Sequence, residues 1–164
     1  MGGFVVPGVT GPRVGAMAVN ADFVGRSYPP SGPYAVDSAS LAAFAAAVGS
    51  TDPVHSDPEA ARAAGYADVI APPTFAVSLA QQCDRQLVED PEAGIDYSRV
   101  VHGEQRFVHH RPITAGDSVI GTLTVDSVRE AGGHAMVTTR TELATEAGEA
   151  LCTSTSTIVI RGGE

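Results

Sequence analysis

The sequence predicts an α+β fold in which one long helix packs on an antiparallel sheet. Three observations carry this reading. Up to Leu87, apolar residues recur at helical spacing. From Ser98 the period switches to two. Turn residues then cut the second half into segments of strand length.

Residues 1–19 read as a disordered N-terminal extension, and residues 20–161 as one folded domain. Residues 1–16 are rich in Gly, Val and Pro without periodicity, and Met17 is an alternative start. Tyr34-Ala35-Val36 predicts a short strand. Asp37 or Ser38 caps a helix whose apolar positions are Leu41, Phe44, Ala45 and Val48, with Gly49 placed to end it. Asp57 caps a second, short helix with Pro58 at its first position, and Gly65 ends it. The loop carrying Asp52 and His55 is therefore held between two helices.

Pro72-Pro73 opens a third helix. Phe75, Leu79, Cys83 and Leu87 form its apolar stripe, and Gln81, Gln82, Asp84 and Arg85 its wet side. It ends near Glu89-Asp90-Pro91. Four strands follow, at about 98–110, 118–129, 134–144 and 150–160, read as an antiparallel meander. Gly132-Gly133 and Glu146-Ala147-Gly148-Glu149 are short enough for hairpins. The other sheet face and the sheet edges would want cover, so a dimer is expected.

Composition narrows the function classes. The formal charge is −9 and every one of the ten basic residues is Arg. An acidic surface argues against nonspecific nucleic-acid binding and against anionic membranes. No apolar run approaches membrane-spanning length. The N-terminus lacks a basic region followed by an apolar core, so it does not read as a secretory signal. Cys83 and Cys152 lie far apart in no motif and read as reduced buried thiols, which fits the cytoplasm.

The segment Gly49-Ser50-Thr51-Asp52-Pro53-Val54-His55-Ser56-Asp57 resembles the hydratase motif of the MaoC-like hot-dog enzymes, usually Gly-Asp-x-Asn-Pro-aliphatic-His-x-Asp. Further stretches are similar to the N-terminal MaoC-like dehydratase subgroup, which includes HadA/HadC-like accessory subunits of (3R)-hydroxyacyl-ACP dehydratases. They are Arg62-Ala63-Ala64-Gly65-Tyr66, Val69 to Phe75, Gln105-Arg106-Phe107, His110-Arg111-Pro112-Ile113 and Ala115-Gly116-Asp117. The resemblance implies a single hot-dog domain, a homodimer or a heterodimer with another MaoC-like subunit, and no metal or redox cofactor. It also implies reversible loss of water from a (3R)-hydroxyacyl thioester carried on CoA or acyl carrier protein, as in fatty-acid-type metabolism.

That chemistry needs a group to move the C2 proton, a group to handle the C3 hydroxyl, and a donor for the enolate-like oxygen. His55 suits the first task, since its unperturbed pKa lies near neutrality, and the resemblance makes its position catalytic. The alternative is that it only hydrogen-bonds the loop. The motif's acidic position is Ser50 here, and Asp52 stands at the Asn position. Either Asp52 reaches inward as the substitute carboxylate, or it only stabilises an Asx turn before Pro53. Pro72 and Pro73 offer no N–H at the helix start, which leaves Thr74 and Phe75 as substrate-binding candidates there, with Ser50 beside the dyad. His102 and His110 are expected on one face of their strand and His109 on the other, in packing roles. Arg62, Arg106 and Arg111 are candidates for a phosphate of CoA or of a carrier arm, or for pairing with nearby carboxylates.

Three readings follow. The chain is a (3R)-hydroxyacyl thioester dehydratase/enoyl hydratase subunit with Asp52 and His55 as acid/base groups. Alternatively, it is a catalytically deficient accessory subunit that binds the acyl chain and stabilises a catalytic partner. A thioesterase is the third, with Asp84 as the helix carboxylate.

Overall fold

The computed structural model describes residues 19–162. The expected extension, but for its last residue, lies outside the described residues. Val19 is already buried, and Asn20 donates its N–H to the Ala93 carbonyl at 3.0 Å.

The elements are β1 (Ser31–Ala35), α1 (Ser38–Ala47), α2 (Pro58–Ala63), α3 (Ala76–Val88), β2 (Val100–His109), β3 (Ser118–Ala131), β4 (His134–Thr145) and β5 (Ala150–Ile160). Local chemistry explains their ends. Asp37 caps α1 by accepting the Ser40 N–H at 2.8 Å, and Gly49 closes it at φ +72°. Asp57 caps α2 with Pro58 behind it. Gly132 and Gly133, both at positive φ, make the tight β3–β4 turn.

The five strands form one antiparallel sheet in the order β1-β3-β4-β5-β2. The expected meander holds for β3, β4 and β5. It fails for β2, which pairs with β5 at the far edge instead of with β3. The reason is the long connection 110–117. It is drawn under the sheet by Ala71 N–H to Ile113 carbonyl (2.7 Å), Ala115 N–H to Val69 carbonyl (2.9 Å) and Gly116 N–H to Val36 carbonyl (2.8 Å).

Helix α3 lies across β3, β4 and β5. Its whole predicted stripe, Phe75, Leu79, Cys83 and Leu87, is buried. Gly121 on β3 lets the helix approach, because a Cβ there would run into the Cys83 sulfur. The helix proper begins at Ala76, later than Pro72-Pro73 suggests. Residues 72–75 form a separate turn closed by Phe75 N–H to Pro72 carbonyl at 2.9 Å. This is the hot-dog arrangement of a helix embraced by a curved sheet.

The outer sheet face carries polar pairings. It carries Arg140 paired with Asp126 and Glu142, Thr153 donating to Glu142 at 2.6 Å, and a Thr138–Thr157 hydroxyl pair. Among the described residues the β2 edge is long and uncovered, whereas β1 at the other edge is short and contains Pro33.

Candidate active site

The site grows from the loop between α1 and α2. Asp52 accepts the Val54 N–H on Oδ1 at 3.1 Å and so caps a 3-10 turn, Pro53–His55. Its other carboxylate oxygen has no protein partner among the described residues. The turn carries His55 inward, where it is only 7% exposed.

His55 Nδ1 lies 2.8 Å from the Ile70 carbonyl oxygen. A carbonyl only accepts, so Nδ1 carries the proton and Nε2 of the neutral ring is an acceptor. Among the described residues no protein group engages Nε2, and no side-chain nitrogen or oxygen is both fully buried and unpartnered. Nε2 therefore opens on the adjoining cleft.

Segment 70–73 forms one wall of that cleft. Ile70 donates its N–H to the Val54 carbonyl at 3.1 Å and bridges Thr114. The residue before a proline is driven toward extended backbone, which suits Ala71 and Pro72. At the far end of the segment, the Pro73 carbonyl accepts from His109 Nε2 at 2.8 Å. The cleft has a volume of about 650 Å³, and Asp52, His55, Tyr66, Pro73, His109 and Arg111 are among its lining residues.

Asp52 and His55 thus meet in one cleft, as expected. Ser50, Thr74 and Phe75 do not line it. Ser50 closes α1 with its N–H on the Ala45 carbonyl at 2.8 Å. Thr74 is exposed in the turn before α3. Phe75 is buried in the core, edge-on to Phe44 with ring centroids 5.4 Å apart.

Arg111 is held by carboxylates. It forks onto Asp117 at 2.8 and 2.9 Å and reaches Glu149 at 3.0 Å. Its hydrogen bonds to Asp117 and Glu149 raise its pKa further. Burial alone would raise the Asp117 carboxyl, but the Arg111 fork and the Thr114 N–H together hold it below its ordinary value. The pair clamps the 110–117 connection beside the cleft. Arg106, opposite Thr155, and Arg62 on α2 lie outside the cleft lining.

The expected facing of the histidines is overturned by a β-bulge at Gly103, where the register between β2 and β5 slips by one. His102 stands opposite Ile158, near Asp84 of α3. Past the bulge the alternation inverts. Gln105 turns inward to the Ser154 hydroxyl at 2.8 Å, and His109 follows it to the helix side. His110 goes to the outer face and meets Thr153 Oγ1 at 3.0 Å. The glycine was visible in the sequence and was the one available signal that strict alternation would fail.

A second cavity, of about 780 Å³, lies at the other end of α3 and is lined by Asp84, Tyr97, Val100, His102, Thr139 and Ser156 among others. Burial pushes the Asp84 carboxyl up to about 6, against the Thr139 hydroxyl and the His102 charge.

Comparison with known proteins gives consistent matches. The model of the "FAS1-like, dehydratase domain region" family matches residues 22–154. A "UPF0336 protein" of Saccharopolyspora erythraea is 50% identical over 146 residues, covering 89% of this chain and 94% of its own. A solved "MaoC-like dehydratase" superposes with TM-score 0.79 at 32% identity, over 86% of this chain and 43% of that one. The HadBC (3R-hydroxyacyl-ACP dehydratase) complex from Mycobacterium tuberculosis gives TM-score 0.75 at 30% identity, over 84% of this chain and 97% of that one.

Proposed function

The chain belongs to the FAS1-like dehydratase domain family, with a MaoC-like hot-dog fold, and on that footing we propose that it is a subunit of a (3R)-hydroxyacyl thioester dehydratase/enoyl hydratase. The observation that carries the reading is His55, buried, held in one tautomer by Ile70, with Nε2 open to a cleft that also contains Asp52.

In dehydration, His55 Nε2 takes the C2 proton, which is acidic because the thioester carbonyl receives the electron pair. The C3–O bond then breaks as the carboxyl of Asp52 gives its proton to the departing hydroxyl, releasing water. Hydration runs the same transfers backward, with the Asp52 carboxylate taking a proton from the attacking water. General acid–base steps of this kind supply about 10²- to 10⁴-fold each. The substrate is an acyl-CoA or acyl-carrier-protein thioester. Its acyl chain is served by the apolar part of the cleft, Ile70, Ala71, Pro72 and Ile113.

We further propose a homodimer or heterodimer formed through the β2 edge. Among the described residues β2 pairs with β5 on one side only, and its free side, with Val101 42% and Val108 44% exposed, presents a template for a second strand. The similarity to the HadBC complex supports a heterodimer.

Two observations favour the second reading, an accessory subunit. Ser50 lies outside the cleft lining, and one Asp52 oxygen is taken by the loop cap. A catalytic partner would then supply the dyad. Hydration of crotonyl-CoA by the purified chain, followed by loss of enoyl absorbance, separates the two. Turnover by the chain alone supports the enzyme. Turnover that appears only with a co-purified MaoC-like partner supports the accessory role, and free thiol release in place of hydration contradicts both.

A further inference from the structure

We propose that this site takes short acyl groups, crotonyl to hexenoyl, and that Ile113 sets the limit. The inference rests on the hydratase reading above and deepens it, since neither the sequence motif nor the family match assigns a chain length.

The cleft is open on one side and blind on the other. Asp52, Tyr66, Pro73, His109 and His110 line it and are exposed, so they form its mouth. His55, Ile70, Ala71, Pro72 and Ile113 line it and are buried, so they form its floor. The proton-transferring imidazole therefore stands at the floor. The arm that carries the thioester is long and polar and belongs in the mouth. With C2 at His55, every carbon past C3 points on into the floor.

The floor leads nowhere. Ala71 and Ile113 belong to the same buried cluster as Leu41, Phe75, Leu79 and Leu151. Phe75 is braced edge-on by Phe44, with ring centroids 5.4 Å apart. The route under α3 is filled as well, since Leu79 and Cys83 are buried there and a Cβ on Gly121 would run into the Cys83 sulfur. Among the described residues, none lines both this cleft and the second cavity at the far end of α3. A long acyl chain would have to displace close-packed core to go further. A second subunit on the β2 edge would add to the mouth, where His109 ends the strand, and would leave the floor as it is.

Ile113 is the deepest of the lining residues, at 2% exposed against 8% for Ile70. Its carbonyl accepts the Ala71 N–H at 2.7 Å, which holds the two floor residues side by side. One is bulky and one is small, so the depth of the floor can be changed in either direction by a single methyl-scale substitution. Val at 71 suits the extended backbone that Pro72 imposes.

The test is the hydration of crotonyl-, hexenoyl-, octenoyl- and decenoyl-CoA by wild type, Ile113→Val and Ala71→Val, with thermal melts of all three. A tunnel that accepted the tail would raise kcat/KM by about four-fold per methylene. A blind floor instead lowers it by about ten-fold or more for each methylene that does not fit. The expected wild-type profile is highest at crotonyl or hexenoyl and falls steeply by octenoyl. Ile113→Val should raise the octenoyl-to-crotonyl ratio by about ten-fold, and Ala71→Val should lower the hexenoyl-to-crotonyl ratio by a similar factor. A wild-type profile that rises through decenoyl leaves the hydratase reading standing and overturns this inference. Ratios unmoved in both variants, including equal loss at every chain length, mark a structural role for these residues and also overturn it. A wild-type chain with no turnover at any length removes the hydratase reading and this inference with it.

Discussion

His55 Nδ1 lies 2.8 Å from the Ile70 carbonyl, and this hydrogen bond ties the loop imidazole to the extended segment that leads into α3. Ile70 is itself fixed to the same loop through Val54 and to the 110–117 connection through Thr114. Three separate parts of the chain therefore determine where Nε2 sits, which is the preorganisation that acid–base catalysis requires.

On the proposed mechanism Asp52 both caps its turn and transfers a proton, and substitution separates the two roles. Asn keeps an oxygen for the Val54 N–H, so Asp52→Asn should melt like wild type. It removes the proton-transferring carboxyl, so kcat for crotonyl-CoA hydration should fall by about 10²-fold or more. Asp52→Ala should lose, in addition, about 1 kcal/mol of stability with the cap. An Asn variant of unchanged kcat would confine Asp52 to the turn.

Asp84 gives a pH signature. Its carboxyl is raised by burial to about 6, above its unfolded value, so the folded state holds the proton more tightly. The associated stability is complete below about pH 4 and is lost as pH rises through about 6. Asp84→Asn, which keeps the oxygen that accepts from Thr139, should be more stable than wild type at pH 8 by roughly 2 kcal/mol. At pH 4 the two should match. Urea midpoints at both pH values check this, and a constant difference across pH would contradict it.

Gly121 sets the distance between α3 and β3. A methyl there meets the Cys83 sulfur, which is fully buried and without room to retreat. Gly121→Ala should cost about 1–3 kcal/mol, and Gly121→Ala combined with Cys83→Ala should recover part of it. A thermal melt of the three variants decides this.

The β2 edge predicts an oligomer that charge can break. Val101→Lys with Val108→Lys places two ammonium groups on the exposed edge. Sedimentation should shift the chain to a monomer with its secondary structure retained. An unaltered mass would place the interface elsewhere.

Much of the fold was legible because its signals are local. Asp37, Asp57 and Gly49 are capping residues that act within a turn of themselves, and the α3 stripe needs only its own spacing. The placing of Asp52 and His55 on one turn beside one cleft was legible for the same reason, since Pro53 fixes the turn between them. The placement of β2 was not, because strand order depends on the 110–117 connection meeting segment 69–71, more than forty residues away in sequence. His109 was hidden by a one-residue slip at Gly103, since alternation carries no information past a bulge. The expectation of Thr74 and Phe75 as substrate contacts takes the helix to open at Pro72. The separate turn at 72–75 instead leaves Thr74 exposed away from the cleft and sends Phe75 into the core.

The central claim is that His55 Nε2 performs proton transfer at C2. The most direct measurement is crotonyl-CoA hydration by the wild-type chain and by His55→Ala, with the stereochemistry of the 3-hydroxy product determined. The expected result is the (3R) product from wild type and a loss of about 10²-fold or more in the variant. The variant should stay folded with a modest stability loss of about 1–3 kcal/mol from the unpaired Ile70 carbonyl. A folded His55→Ala chain that hydrates crotonyl-CoA at the wild-type rate would contradict it.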